Sequence, residues 1–76
     1  MIIFTQHSLL KLKQRRIAKN LFIETLRKPD HAFKSYSDRE IYYKKFKLYL
    51  KVIFKKGGKD IIVITQYWEK RPKMMK

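Results

Sequence analysis

Seventy-six residues hold one domain with room for a single modest core, because short chains bury a smaller share of their surface. Twenty Lys and Arg against six acidic residues give a net charge of +14 that is spread through every segment, which makes nucleic acid the leading partner class, ahead of an acidic protein or an anionic membrane. Cysteine is absent, which excludes disulfides, thiolate nucleophiles and zinc–thiolate sites together and is compatible with a reducing cytoplasm.

Ile2-Ile3-Phe4 is a short β-prone run, preceded by no basic leader and followed by no small-residue cleavage site, so no export signal is expected. Thr5 or Ser8 is placed to cap a helix over Thr5 to Arg16. Residues four apart share a helical face, which aligns His7, Lys11 and Arg15 in one basic stripe, with Leu9 and Leu12 on the opposite arc and Leu10 at its flank. Ile17 is expected to plug the core where the chain turns. Ala18, Leu21, Phe22 and Leu26 recur at helical spacing, and Pro29 ends that second helix near Lys28.

Beyond Pro29-Asp30 aromatic and β-branched residues rise, and Ser37-Asp38 and Gly57-Gly58 are turn pairs. Successive antiparallel strands are predicted over His31–Tyr36, Arg39–Phe46, Leu48–Lys55 and Lys59–Tyr67, the break near Lys47 being marked by no turn residue. Leu48, Leu50, Val52 and Phe54 alternate with Tyr49, Lys51, Ile53 and Lys55, so one face packs under the helices. The last strand is apolar on both faces, Ile62 and Ile64 against Ile61 and Val63, which argues for a central place in the sheet. The longest apolar runs, here and at Leu21-Phe22-Ile23, are too short to span a bilayer, so no membrane partner and a soluble cytoplasmic protein are expected. Trp68 to Lys76 reads as a frayed basic tail. The expected fold class is α+β, a single domain over residues 1–76: a strand, then two helices laid on one face of a twisted, mainly antiparallel sheet. Ile17, Phe22, Leu26, Leu50, Val52 and Ile62 are its expected core.

Two constellations carry candidate chemistry. An imidazole beside two fixed positive charges suits proton transfer at an anionic substrate, which singles out His7 with Lys11 and Arg15; against this, such a histidine also caps helices, and charges at this spacing are usually a solvated face. Tyr43, Tyr49, Lys51 and Tyr67 lie on strands expected to be neighbours, and stacking plus charge holds single-stranded RNA; against this, tyrosines on half-buried strands mostly pack. Lys44, with Lys45 and Lys47, adds charge for association. His7 and His31 are far apart in sequence and the six acids show no ligand spacing, so neither metal nor cofactor is expected. Gly57-Gly58 is a hairpin turn rather than a phosphate-cradling loop.

The element order, Phe4-Thr5-Gln6-His7, Arg15 followed by Ile17, Pro29-Asp30 after the second helix, Tyr42-Tyr43, and Val63-Ile64-Thr65 with Tyr67 together resemble a family of small domains of unknown function related to the RelE/ParE toxin superfamily. Lys11 stands where an arginine is more usual and Arg16 where a glycine is common. The resemblance implies a RelE/ParE-like fold and the toxin of a toxin–antitoxin module, acting as a metal-independent endoribonuclease on RNA, including ribosome-associated mRNA, and neutralised by an acidic antitoxin. It implies that the ribose 2′-hydroxyl attacks the adjacent phosphorus, with His7 or Lys51 as base or acid, Lys11 and Arg15 as charge stabilisers, and Tyr67 as a stacking or proton-donating group. Two other readings stay open: a non-catalytic ParE-like inhibitor of a protein target such as gyrase, and a basic RNA- or DNA-binding module without turnover.

Overall fold

The computed structural model describes residues 2–35 and 37–71. Strand β1 (Ile2–Phe4) leads into helix α1 (Gln6–Gln14) and helix α2 (Lys19–Arg27), followed by β2 (His31–Lys34), β3 (Arg39–Lys45), β4 (Tyr49–Gly57) and β5 (Asp60–Glu69). The strands form one sheet in the order β1-β5-β4-β3-β2. β2 to β5 make an antiparallel meander, while β1 lies parallel to β5, Ile2 beside Ile61 and Phe4 beside Val63. Both helices cover one face, with Ile17 and Phe22 buried against Leu50, Val52, Phe54 and Val63. The expected α+β fold is thus the observed one. No helix among the described residues is long and apolar enough to cross a membrane.

Local chemistry accounts for each end of α1. Thr5 is extended and its hydroxyl accepts from the Ser8 amide at 3.1 Å, while the Ser8 hydroxyl donates to the Thr5 carbonyl at 3.0 Å, so Ser8 is buried with its polar atom matched. At the other end the Ile17 amide donates to the Leu12 carbonyl at 3.1 Å and the Arg16 amide to that of Lys13 at 3.3 Å. This is the paired closure of a Schellman motif, which needs a left-handed residue after the cap; Arg16 supplies it at φ 51°. The position where the family resemblance favours glycine is therefore one where backbone sterics favour glycine too. Leu9 and Leu10 are 56% and 54% exposed, so of the apolar arc expected of α1 only Leu12 packs on the core, and Ser8 and Arg15 face the sheet beside it.

Several boundaries differ from expectation. β4 begins at Tyr49, because Phe46 to Leu48 form a tight turn in which the Phe46 amide donates to the Leu48 carbonyl at 2.9 Å. Ile62 is not core. A register shift sets Ile53 opposite Thr65 but Phe54 opposite Val63, which leaves Ile64 as an extra residue and reverses the alternation of β5. Val63, Gln66 and Trp68 consequently face the helices; Ile62, opposite Lys55, faces away, as do Thr65, Tyr67 and Glu69. Nor does the tail start at Trp68: Trp68 pairs with Leu50 and Glu69 with Tyr49 in β5. The remainder of that expected tail from Pro72, and the expected end of β2 at Tyr36, lie outside the described residues.

Candidate functional site

The sheet face turned away from the helices carries a row of side chains set by strand register, of which Tyr43 is fully buried. His31 lies opposite Tyr43, Tyr43 opposite Lys51, and Lys51 opposite Tyr67, one residue from each of four neighbouring strands. Because side chains directly opposite in antiparallel pairs stand on the same face, these four project together. A second row beside it holds Lys45, Tyr49 and Glu69.

Lys51 is the centre of the arrangement. It is only 8% exposed, with its ammonium 5.0 Å from the Tyr67 ring centre and 5.6 Å from that of Tyr43. Its Nζ lies 3.5 Å from Glu69 Oε1, and the Tyr43 hydroxyl donates to Glu69 Oε2 at 3.3 Å. Burial by itself would push the lysine down, but hydrogen bonding with Tyr67 and Tyr43 outweighs it and holds Lys51 above its ordinary value. At neutral pH it is an ammonium, suited to stabilising negative charge or donating a proton and unsuited to acting as a base. Glu69 Oε1 is buried and accepts no hydrogen bond, which leaves a carboxylate lone pair beside that ammonium.

Arg15 extends the row from the helix layer around the edge of β5. Its Nη1 donates to the Gln66 carbonyl at 2.8 Å, and its guanidinium carbon lies 5.3 Å from the Tyr67 ring centre. β1 pairs with β5 only as far as Val63, so the β5 edge beyond it is open to this side chain. Two cations thus sit on one tyrosine: Arg15 and Lys51 share Tyr67, each at a distance where the ring quadrupole attracts a positive charge. The arrangement can hold a phosphate beside fixed charges, with the partly exposed rings of Tyr49 and Tyr67 open to adjacent bases.

The other expected site residues are distributed around this centre. Tyr49 stands beside it, its ring 6.4 Å from Tyr43 and 6.0 Å from His31. His7 is exposed in the first turn of α1 and makes no hydrogen bond, ion pair or ring contact among the described residues. Lys11 donates to Gln14 on its own helix at 3.2 Å. Lys44 is opposite Leu50 and therefore on the helix side, where its Nζ donates to the Lys28 carbonyl at 3.0 Å and lies 3.9 Å from Asp30. Of the basic stripe, only Arg15 reaches the sheet cluster by a direct contact. Sequence reasoning did not single out Glu69 or His31. The spacing of His31 and Phe33 around Ala32 in a strand bound to Tyr42-Tyr43 was the available signal for His31; Glu69 had none, since its place depends on the bulge.

Comparison with known proteins supports the fold. No protein-family model matches the sequence, and no curated protein is similar to it in sequence. Among solved structures the chain is similar to the ribonuclease toxin BrnT of Brucella abortus, with a TM-score of 0.68 at 20% identity over 92% of this chain and 96% of that one. The likeness is one of fold: two helices on a five-stranded mixed sheet.

Proposed function

We propose that this protein is the toxin of a toxin–antitoxin module and cleaves RNA without a metal ion, at the row formed by Arg15, Tyr67, Lys51 and Tyr43. The observation that carries the reading is the pair of cations on Tyr67, one fixed by the helix layer and one by the sheet. The shared fold with a ribonuclease toxin supports it. In this reading a phosphate lies between the Arg15 guanidinium and the Lys51 ammonium, which stabilise the charge of the pentacoordinate state. Glu69 holds the Lys51 ammonium in place, and the ribose 2′-hydroxyl gives its proton to water as its oxygen bonds to phosphorus. The bond to the 5′ oxygen breaks, that oxygen takes a proton from the Tyr67 hydroxyl, and a 2′,3′-cyclic phosphate remains. Tyr49, half-buried beside the row, supplies a stacking surface for a flanking base, while the fully buried Tyr43 holds Glu69 and Lys51 in place, and Lys11 and His7 lie on the approach along α1.

The antitoxin is a protein whose binding segment is acidic and amphipathic. Leu9 and Leu10, exposed among the basic residues of α1, give such a segment apolar anchors as well as opposite charge. Single-turnover cleavage of a labelled RNA in EDTA, by the wild type and by folded Arg15→Ala and Lys51→Met variants, tests the reading. Cleavage that drops about a hundredfold in each variant supports it. Salt-sensitive RNA binding with no cleavage under any condition replaces it with a binding module.

A further inference from the structure

Behind the β3–β4 turn the chain leaves a small apolar hollow of about 260 Å³, lined by Leu21, Phe46, Lys47, Leu48 and Trp68. A shallower recess of about 490 Å³ is lined by Arg15, Tyr67 and Trp68, so Trp68 is the wall that the two share. The indole is held in place. Its Nε1–H donates to the Arg15 carbonyl at 3.3 Å, and Phe46 meets it edge-on with ring centres 6.3 Å apart. Leu48 is 41% exposed at the rim, where solubility alone would favour a polar residue.

We propose that this hollow seats one unpaired nucleobase of RNA, adjacent to the nucleotide whose phosphate lies at Arg15. The inference rests on the RNA-cleaving reading above and names a specificity site for it. The walls are two aromatic rings and two leucines, the surface that a base offers its π-face to. The charged residues that line the hollow and the adjoining recess, Lys47 and Arg15, are both positive, as the phosphates next to a seated base require. Because the Arg15 recess continues onto Tyr67, a base fixed here decides which phosphate is presented to Lys51.

Trp68 is the only tryptophan of the chain, so its emission reports on the hollow directly. The full chain is titrated with a short unstructured RNA and, separately, with inorganic polyphosphate, while anisotropy of labelled RNA follows binding. RNA should quench Trp68 saturably, whereas polyphosphate should bind in the same salt-sensitive manner and leave the emission unchanged. Leu48→Gln, which keeps the charge, should weaken RNA binding about tenfold and leave polyphosphate binding within about twofold; Leu48→Ala serves if the first variant does not fold. Equal quenching by both polyanions, or unaltered emission with RNA bound, overturns the base site and leaves the cleavage reading standing. No RNA binding at all overturns both. Emission that shifts with protein concentration in the absence of RNA assigns the hollow to a second copy of the chain and also overturns the proposal.

Discussion

Arg15 and Gln66 are 51 residues apart in sequence, yet the Arg15 guanidinium donates to the Gln66 carbonyl at 2.8 Å. The bond satisfies a β5 edge acceptor that β1 does not reach, and it fixes the guanidinium over Tyr67. Its planar fork allows both contacts at once, which a lysine ammonium cannot reproduce. Arg15→Ala is expected to lower single-turnover cleavage by about a hundredfold and stability by roughly 1 to 2 kcal/mol. Arg15→Lys should recover RNA affinity to within a few-fold of wild type but not the cleavage rate, as rate and binding measurements on the same preparations will show.

Lys51 and Glu69 form a nearly buried pair, so removing one partner strands the other. Lys51→Met is expected to destabilise the fold by roughly 2 to 3 kcal/mol, and Lys51→Met with Glu69→Gln to recover a large part of that. Denaturant unfolding of the single and double variants measures it. Additive losses would show that the pair is not coupled.

The raised pKa of Lys51 sets a pH dependence. A basic group whose folded value lies above its unfolded value contributes stability that is fully present below the unfolded value and lost as pH rises through the folded one. The gap in unfolding free energy between wild type and Lys51→Met should therefore be constant at neutral pH and close only in alkali, above the ordinary lysine value of about 10.4. A gap that already closes between pH 6 and pH 8, in the ordinary histidine range of about 6.5, would contradict it.

Arg16 holds a left-handed conformation in the closure of α1. Replacing it by glycine removes the Cβ clash at the cost of a more flexible unfolded chain, for a net gain of about 0.5 to 1 kcal/mol. The Arg16→Gly variant should melt several degrees above wild type, since about 1 kcal/mol moves the midpoint by 4–8 °C in a domain of this size. A lower midpoint would mean that the Arg16 side chain stabilises the fold by more than its backbone costs.

His7 provides the contrast. It stands free of the sheet cluster, so His7→Ala should change cleavage by no more than a few-fold, whereas Lys51→Met should lower it by about a hundredfold. RNA affinity of all these proteins should fall steeply with added salt, because several Lys and Arg release counterions on contact. A hundredfold loss in His7→Ala would return the proton transfer to α1.

Composition and periodicity determined the strongly positive charge, the two helices, the four meander strands and the alternation that buries Leu50, Val52 and Phe54, because each of these follows from residue content or from a local repeat of two or 3.6 residues. Tyr43, Lys51 and Tyr67 were legible only as residues of neighbouring strands; the face Tyr67 takes, like that of Glu69, depends on the bulge. Tertiary structure decided what depends on contacts distant in the chain. The parallel pairing of β1 with β5 ends at Val63 and opens the edge that Arg15 occupies. The bulge at Ile64 turns Ile62 away from the core, brings Glu69 to Lys51 and sends Trp68 to the helix side. One extra residue in a strand reverses every later side chain, and no local pattern records where it falls, because the surrounding residues are apolar on both faces.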